Sequence, residues 1–224
     1  MLARHFSLFA GNTSLEASNR YRGTSTPIAH AFSGFLYERP KIADYIRKLD
    51  YPVEVADLTS PSIQESLKRI SRLEFLTICY RDISRLYWSN KPIRPALLHL
   101  LHLPTLTYFC VTDINNFPVS DLIPCINLKY LDIAFYTTGE TETAFSVAFP
   151  KQSIQLNEFV AERGSADAIA KLCSTRRPYG EAVIDFGPLS KVTVALGEPD
   201  EVEASQELFR CCQLTTPYRC TDIL

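Results

Sequence analysis

One apolar pattern recurs along this chain and constrains its fold more than any other feature. The pattern is a leucine, two intervening residues, a second leucine, one residue and an isoleucine, with other apolar residues allowed at each position. Its copies begin at residues 46, 73, 106, 128, 156 and 189, so successive steps are 27, 33, 22, 28 and 33 residues. These steps bracket the period of roughly 20–29 residues that is typical of leucine-rich repeats, with two longer units. The clearest copies are Leu73, Leu76 and Ile78, then Leu106, Phe109 and Val111, then Leu128, Leu131 and Ile133.

The spacing within each copy predicts a short β-strand. The fourth and sixth positions are two residues apart, which places both apolar side chains on one face of a strand. Charged residues such as Glu74, Lys129, Asp132 and Glu158 also occur in these strands. The strands of a doubly wound α/β sheet are buried on both faces and would instead read as continuous apolar runs. The sequence therefore favours a sheet with one packed face and one open face.

Helical signals precede most of the predicted strands. In one segment Ser60 occupies the N-cap position and Pro61 the first helical position, and apolar residues follow at helical spacing. Because each helix returns the chain to the start of the next strand, this alternation predicts parallel pairing. The segments predicted as helical are 40–48, 60–70, 92–103, 118–123, 165–173 and 201–212.

These units are too small to be stable alone. One helix and one strand cannot bury their own apolar faces, so neighbouring units must stack. We therefore predict an α/β fold, a leucine-rich-repeat-like solenoid over residues 36–224, with parallel short strands on its concave face and helices on its convex face. Residues 1–35 carry no copy of the pattern and are predicted to form an irregular N-terminal segment.

The composition argues against several classes of function. The chain has 23 Lys and Arg residues and 25 Asp and Glu residues, a net charge of −2, which gives no electrostatic case for nucleic-acid binding. It has no apolar run of about 18 residues and no secretory signal peptide, so we expect no membrane association and a cytoplasmic or nuclear location. Its seven cysteines are an odd number, which favours buried free thiols over a disulfide framework.

Motifs for catalysis or metal binding are missing or isolated. The eight glycines form neither common phosphate-binding loop. Asp185-Phe186-Gly187 matches a protein-kinase tripeptide, but the other parts that phosphoryl transfer needs do not accompany it. His99 and His102 share one face of a predicted helix, with no acidic residue nearby to complete a metal site. We expect no catalytic activity, no metal and no cofactor; the alternative is a small α/β enzyme of unknown chemistry.

Trp88 and the pair Arg176-Arg177 are two further candidates for binding. Trp88, between a predicted strand and a predicted helix, is either an anchor for a partner or an aromatic side chain tucked against the adjacent repeat. The pair Arg176-Arg177 falls short of a nucleic-acid-binding stripe, and we expect both residues to lie in a solvated turn.

Three segments carry a resemblance to F-box/leucine-rich-repeat-like proteins that are abundant in mushroom-forming fungi. They are LLHLPTL at 100–106, NFP at 116–118 and CINLKYLDI at 125–133. The resemblance covers roughly residues 36–214 and implies a repeat region that presents a substrate protein to a ubiquitin ligase. In that family an N-terminal F-box docks on an adaptor of the SCF ubiquitin ligase.

The chain departs from that family at its N-terminus. Nothing in residues 1–39 matches an F-box, and residues 4–9 resemble at most the tail that follows one. The resemblance therefore implies the substrate-recognition part of an F-box-type receptor, which binds the adaptor only if an F-box lies upstream. The alternative within this class is a repeat scaffold that works without an F-box.

The third and fifth positions of each copy are the candidate partner-binding residues, because they point away from the packed face. In the three clearest copies the third position is aromatic, and strands spaced about 4.8 Å apart would align these rings as a ladder. The ladder is either an interaction surface with a polar rim or only a stabilising set of cross-strand pairs. The candidate residues are Phe75, Thr77, Tyr108, Cys110, Tyr130, Asp132 and Glu158, and the same register continues at Val160, Lys191 and Thr193.

Overall fold

Helices and short strands alternate along the protein. The computed structural model describes residues 5–7, 28–80, 86–88, 92–134, 152–162, 164–177 and 180–212, and the structural statements below concern these residues. The strands are β1 (His5–Ser7), β2 (Lys48–Val53), β3 (Phe75–Tyr80), β4 (Leu86–Tyr87), β5 (Tyr108–Thr112), β6 (Ile114–Asn115), β7 (Tyr130–Ala134), β8 (Ile154–Gln155), β9 (Glu158–Ala161), β10 (Ile184–Asp185) and β11 (Lys191–Val194). The α-helices are α1 (Ile28–Glu38), α2 (Pro61–Lys68), α3 (Arg94–Leu101), α4 (Ala166–Ser174) and α5 (Pro199–Cys211).

The main sheet is parallel, and its strands follow one another in chain order. The order is β1, β2, β3, β5, β7, β9 and β11, and six of these strands lie between Lys48 and Val194. Among the described residues, the outer strands β1 and β11 each pair with one neighbour. There are also two small parallel strand pairs. β4 pairs with β6, and these strands follow β3 and β5 in the chain; β8 pairs with β10, and these strands precede β9 and β11. The predicted α/β class and parallel pairing are confirmed.

The repeated apolar positions line the core. In β3 Leu76 and Ile78 are fully buried, and the equivalent side chains of β2, β5, β7 and β9 are buried with them. The strand residues form one apolar cluster with helix residues such as Ile63, Leu97 and Ile169. In the last copy, by contrast, Val192 and Val194 of β11 are only half-buried. Burial of the fourth and sixth positions is therefore as predicted in five copies and incomplete in the sixth.

The helices agree with the sequence pattern in part. Helix α2 begins at Pro61 after Ser60 as predicted, whereas α3 begins at Arg94, two residues after Pro92. The predicted helical segments that begin at Pro40 and Pro118 form short 3-10 helices, Pro40–Tyr45 and Val119–Leu122. Neither segment extends into an α-helix, because strand β2 begins three residues after Tyr45 and a turn follows Leu122. No helix of the described residues has both the length and the apolar character needed to cross a membrane.

A helix crosses the boundary that the sequence predicted between residues 35 and 36. Helix α1 runs from Ile28 to Glu38, and within it Phe32 and Leu36 are four residues apart and buried in the core. The hydroxyl of Ser33 joins this helix to α2, donating to the Ser62 carbonyl at 2.9 Å. The segment 28–35 is thus helical rather than irregular, because its apolar residues are spaced to pack on the first repeat.

Candidate functional site

The third and fifth positions of the repeats lie on the face of the main sheet that is turned away from the core. We call this surface the open face. It has two rows of side chains, and the strand register places the members of each row directly beside one another. The first row is Lys48, Phe75, Tyr108, Tyr130, Glu158 and Lys191, and the second is Asp50, Thr77, Cys110, Asp132, Val160 and Thr193. All seven candidate residues from the sequence therefore lie on one face and in register.

Three aromatic rings stand side by side at the centre of the first row. The ring centroids of Phe75 and Tyr108 are 5.8 Å apart and those of Tyr108 and Tyr130 are 6.2 Å apart, with interplanar angles of 35° and 34°. Phe75 is 39% exposed, and both tyrosines are half-buried. The rings can adopt this arrangement because neighbouring parallel strands lie about 4.8 Å apart. The ladder thus presents partly exposed aromatic surface on the open face.

Asp132 lies next to the aromatic row, in the second row. Its carboxylate accepts hydrogen bonds from the Tyr108 hydroxyl and the Cys110 thiol, which favour the charged form. Desolvation outweighs these bonds, so the pKa of Asp132 is raised. Burial, followed by the negative charge of Asp132, also raises the pKa of the Cys110 thiol. Cys110 is therefore a protonated hydrogen-bond donor and not a nucleophile at neutral pH.

Negative charge accumulates at the centre of the open face. Glu162 follows β9 and stands two residues beyond Val160, on the same side of the chain. Its pKa is raised, first by partial desolvation and then by the charges of Asp132 and Asp113. Neither Asp132 nor Glu162 makes a salt bridge with a described residue. The centre of this face is thus negative and lacks a compensating cation from the described part of the chain.

The two ends of the open face differ from its centre. At one end Lys48 Nζ lies 3.5 Å from Asp50 Oδ2. At the other end Lys191 Nζ lies 3.1 Å from Glu158 Oε2. Each end therefore contains a lysine paired with an acidic residue, whereas Asp132 on β7 and Glu162 after β9 have no salt bridge to a described residue.

Sequence reasoning missed two of these acidic residues. Asp50 is the fifth position of the weak first copy, so the register itself contained the signal. Glu162 is the seventh position of the fifth copy, and extending the alternation by two residues would have found it. The raised pKa values had no sequence signal, because they depend on how side chains from different strands desolvate one another.

Trp88 is an internal residue rather than an exposed anchor. Its side chain is 1% exposed, its indole Nε1 donates to Asp121 Oδ2 at 2.7 Å, and its ring packs against Phe117 at 4.7 Å. Asp121 also accepts from Arg94, at 3.2 Å. Of the two interpretations, the structure supports the aromatic side chain tucked against a neighbouring unit.

The two helical histidines join adjacent units through backbone carbonyls. His99 Nε2 lies 3.0 Å from the Ile70 carbonyl oxygen, and His102 Nε2 lies 2.8 Å from that of Asp121. A carbonyl oxygen only accepts, so each Nε2 carries a proton in these contacts. In the described ranges no group of three or more His, Cys, Asp or Glu side chains is arranged to hold a metal ion.

Two other motifs have structural roles. In the tripeptide Asp185-Phe186-Gly187, the Gly187 amide donates to Asp185 Oδ1 at 2.9 Å, and Phe186 is buried edge-to-face on Phe159, with centroids 6.0 Å apart. The prediction that Arg177 is solvated is wrong: it is 5% exposed, and its guanidinium donates to the Gln152 carbonyl at 2.6 Å. The arginine can be buried because the Gln152 carbonyl, which precedes it by 25 residues in the sequence, accepts a hydrogen bond from it.

Comparison with known proteins gives no family for this chain. No protein-family model matches it, and neither a curated protein nor a solved structure is significantly similar to it.

Proposed function

We propose that this chain is a leucine-rich-repeat-like solenoid and a non-catalytic protein-interaction module, which holds a partner protein against a concave open face. The chain-order parallel sheet and the single packed face support the solenoid, because the described strands of the main sheet hydrogen-bond to the main-sheet strands that come before and after them in the chain. The observation that carries the functional proposal is the half-exposed ladder of Phe75, Tyr108 and Tyr130. Aromatic residues are enriched at the centres of protein interfaces.

The charged surroundings of the ladder favour binding over a purely structural role. A ladder that only stabilised the sheet would need no carboxylate at its edge, yet Asp132 lies there with a raised pKa. Apolar rings with a polar margin are the usual makeup of an interface core and its rim. Following the resemblance of the repeats, we further propose that the partner is a substrate of an F-box-type ubiquitin-ligase receptor.

Site-specific photo-crosslinking tests the proposed binding face. A benzophenone amino acid replaces Phe75 on the open face in one sample, and Tyr37, exposed on α1, in a matched control. We expect a defined protein to crosslink at position 75 and not at position 37. Adding Tyr108→Ser with Tyr130→Ser should abolish the crosslink while leaving the melting temperature nearly unchanged. If the double variant unfolds readily, or crosslinks as well as the parent, the open face is not a binding surface.

A pull-down tests the relation to the ubiquitin-ligase adaptor. Residues 1–224 contain no F-box signature, so we expect them not to retain an SCF adaptor subunit at sub-micromolar concentration. If an exon upstream of Met1 exists, adding the segment that it encodes should restore retention. Stoichiometric binding of the adaptor by residues 1–224 alone would contradict this part of the proposal.

A further inference from the structure

We propose that the open face recognises a polypeptide segment through one cationic side chain, arginine in preference to lysine, which lies against Tyr108 and Tyr130 and pairs with Asp132. This inference rests on the proposed function and deepens it, since it states the chemistry of the partner. Three observations support it: the geometry of the rings, the distribution of charge and the compensated ends of the face.

The rings offer a suitable surface for a cation. The Tyr108 and Tyr130 centroids are 6.2 Å apart, and their planes are inclined by 34°, so the two half-exposed rings lie side by side on the open face and are not stacked in parallel. A guanidinium is attracted to an aromatic face when it lies within about 6 Å of the ring centroid. Its planar form also lets it stack on a ring while donating hydrogen bonds at its edge, which an ammonium group does less well.

The charge around the rings selects a cation. Asp132 lies on β7 with Tyr130 and beside Cys110 of β5, the strand of Tyr108, and Glu162 adds further negative charge nearby. The two carboxylates have no salt-bridge partner among the described residues, and like charges close together disfavour their own ionised forms. A cation from a partner would relieve that repulsion and donate hydrogen bonds to the Asp132 carboxylate. Charge complementarity of this kind steers association and sets specificity.

The compensated ends limit where the cation can bind. Lys48 with Asp50, and Lys191 with Glu158, already satisfy the charges on the outer strands. An approaching basic residue therefore gains the most electrostatic stabilisation at β5 and β7, in the middle of the face. Nucleic acid is disfavoured there, because its phosphates would meet uncompensated carboxylates. A polypeptide fits better, since one basic side chain can reach Asp132 while apolar neighbours cover Phe75.

Paired peptide probes test the inference with the full chain. One fluorescent pool has a central arginine between randomised residues, and the second has citrulline, a neutral analogue of nearly the same shape, at that position. We expect fluorescence polarisation to show binding of the arginine pool and at least tenfold weaker binding of the citrulline pool. Asp132→Asn should weaken the arginine pool to the level of citrulline and leave the citrulline pool unchanged. Glu203→Gln, an exposed substitution on α5, is the matched control and should alter neither pool.

The outcomes separate this inference from the proposed function. Equal binding of the two pools, or an Asp132→Asn variant that binds the arginine pool normally, overturns the inference. If that equal binding is lost in the Tyr108→Ser and Tyr130→Ser double variant, the binding face stands and only the cation is wrong. If neither pool binds, the inference also fails, and photo-crosslinking at position 75 decides the proposed function. Concentration-dependent self-association that Asp132→Asn abolishes would assign the face to a second copy of the chain and overturn it as well.

Discussion

At the residue scale, Asp132 combines two hydrogen bonds to its carboxylate with a raised pKa. The folded state therefore holds a proton on this group more tightly than the unfolded chain does. Its favourable contribution is fully present below the unfolded pKa and is lost as the pH rises through the folded pKa. Ionisation of this carboxylate is therefore less favourable in the folded protein than in the unfolded chain.

Substitution of Asp132 tests whether its charge lowers the stability of the fold. Asp132→Asn should be as stable as the parent or slightly more stable at pH 7, and the difference should disappear at pH 3, where both side chains are neutral. The change should stay within about 1 kcal/mol because the site is half open to solvent. Urea denaturation at the two pH values measures it. A marked loss of stability at pH 7 would show that the hydrogen bonds from Tyr108 and Cys110 outweigh desolvation.

A second residue-scale prediction concerns the burial of Leu131. Leu131 is 1% exposed on the packed face of β7, whereas Lys129, two residues earlier, is half-buried and donates to the Gln155 carbonyl at 3.3 Å. Leu131→Ala should lower the free energy of unfolding by about 2–5 kcal/mol, since it leaves a cavity. Lys129→Ala should lower it by less than about 0.5 kcal/mol. Chemical denaturation gives both values, and the reverse ranking would contradict the burial of Leu131 in the core.

The register could be predicted from sequence because a strand has a period of two. Leu76 and Ile78 fix the packed side of β3, and the positions between them must then face outward. The burial of Arg177 could not be predicted in this way. It depends on the carbonyl of Gln152, which reaches the guanidinium only after the chain has turned.

At the element scale, the N-terminus of α5 is tied to the loop before α4 by one buried carboxylate. Glu201 Oε1 accepts from the Gly164 amide at 2.6 Å, and Oε2 accepts from the Gly197 amide at 2.5 Å and the Glu198 amide at 3.0 Å. The bond from the Glu198 amide is one half of a capping box at the start of α5, and a carboxylate in the first turn also interacts favourably with the helix dipole. Glu201 therefore fixes α5 against the preceding unit.

Substituting this carboxylate should loosen α5. Glu201→Gln removes the charge and one acceptor, so we expect the free energy of unfolding to fall by about 1–3 kcal/mol. Glu203→Gln, two residues away and exposed, should have almost no effect and serves as the control. Hydrogen exchange at Gly164 and Gly197 provides the local measurement. Unchanged protection of both amides in Glu201→Gln would show that the helix is held by its apolar face alone.

The helices were predicted less completely than the strands for a physical reason. Ser60 and Pro61 mark the start of α2, because capping and a fixed proline φ are local properties. Helix α1 was missed because it lies outside the repeat, and its position depends on tertiary packing of Phe32 and Leu36 against α2. Two apolar residues four positions apart, outside any repeat, predict a helix only weakly when the surface they pack against is unknown.

At the scale of the whole molecule, the chain order of the strands follows from the repeat itself. Stacked units pair each strand with the next, so a correct repeat assignment determines both the parallel direction and the order β2, β3, β5, β7, β9 and β11. The partner is a different matter. The ladder of Phe75, Tyr108 and Tyr130 follows from the sequence, but the sequence carries no information on the molecule that we propose to bind it.

The same architecture predicts uneven stability along the sheet. Strand β5 pairs on both sides, with β3 and β7, and its Phe109 and Val111 are fully buried. Strand β11 pairs only with β9 among the described residues, and its Val192 and Val194 are half-buried. When units contact only their neighbours, an end unit can open without disturbing the middle.

We therefore expect backbone amides of β11 to exchange with solvent at least tenfold faster than those of β5 under native conditions. The Lys191 and Ala195 amides report on the end unit, since they donate to the Asn157 and Ala161 carbonyls. The Tyr108 amide, which donates to the Glu74 carbonyl, reports on the middle and is the internal control. Hydrogen exchange read by mass spectrometry or NMR resolves the two groups. Equal protection would mean that the sheet opens only as a whole, in which case the unequal burial of Val192 and Phe109 has no counterpart in local stability.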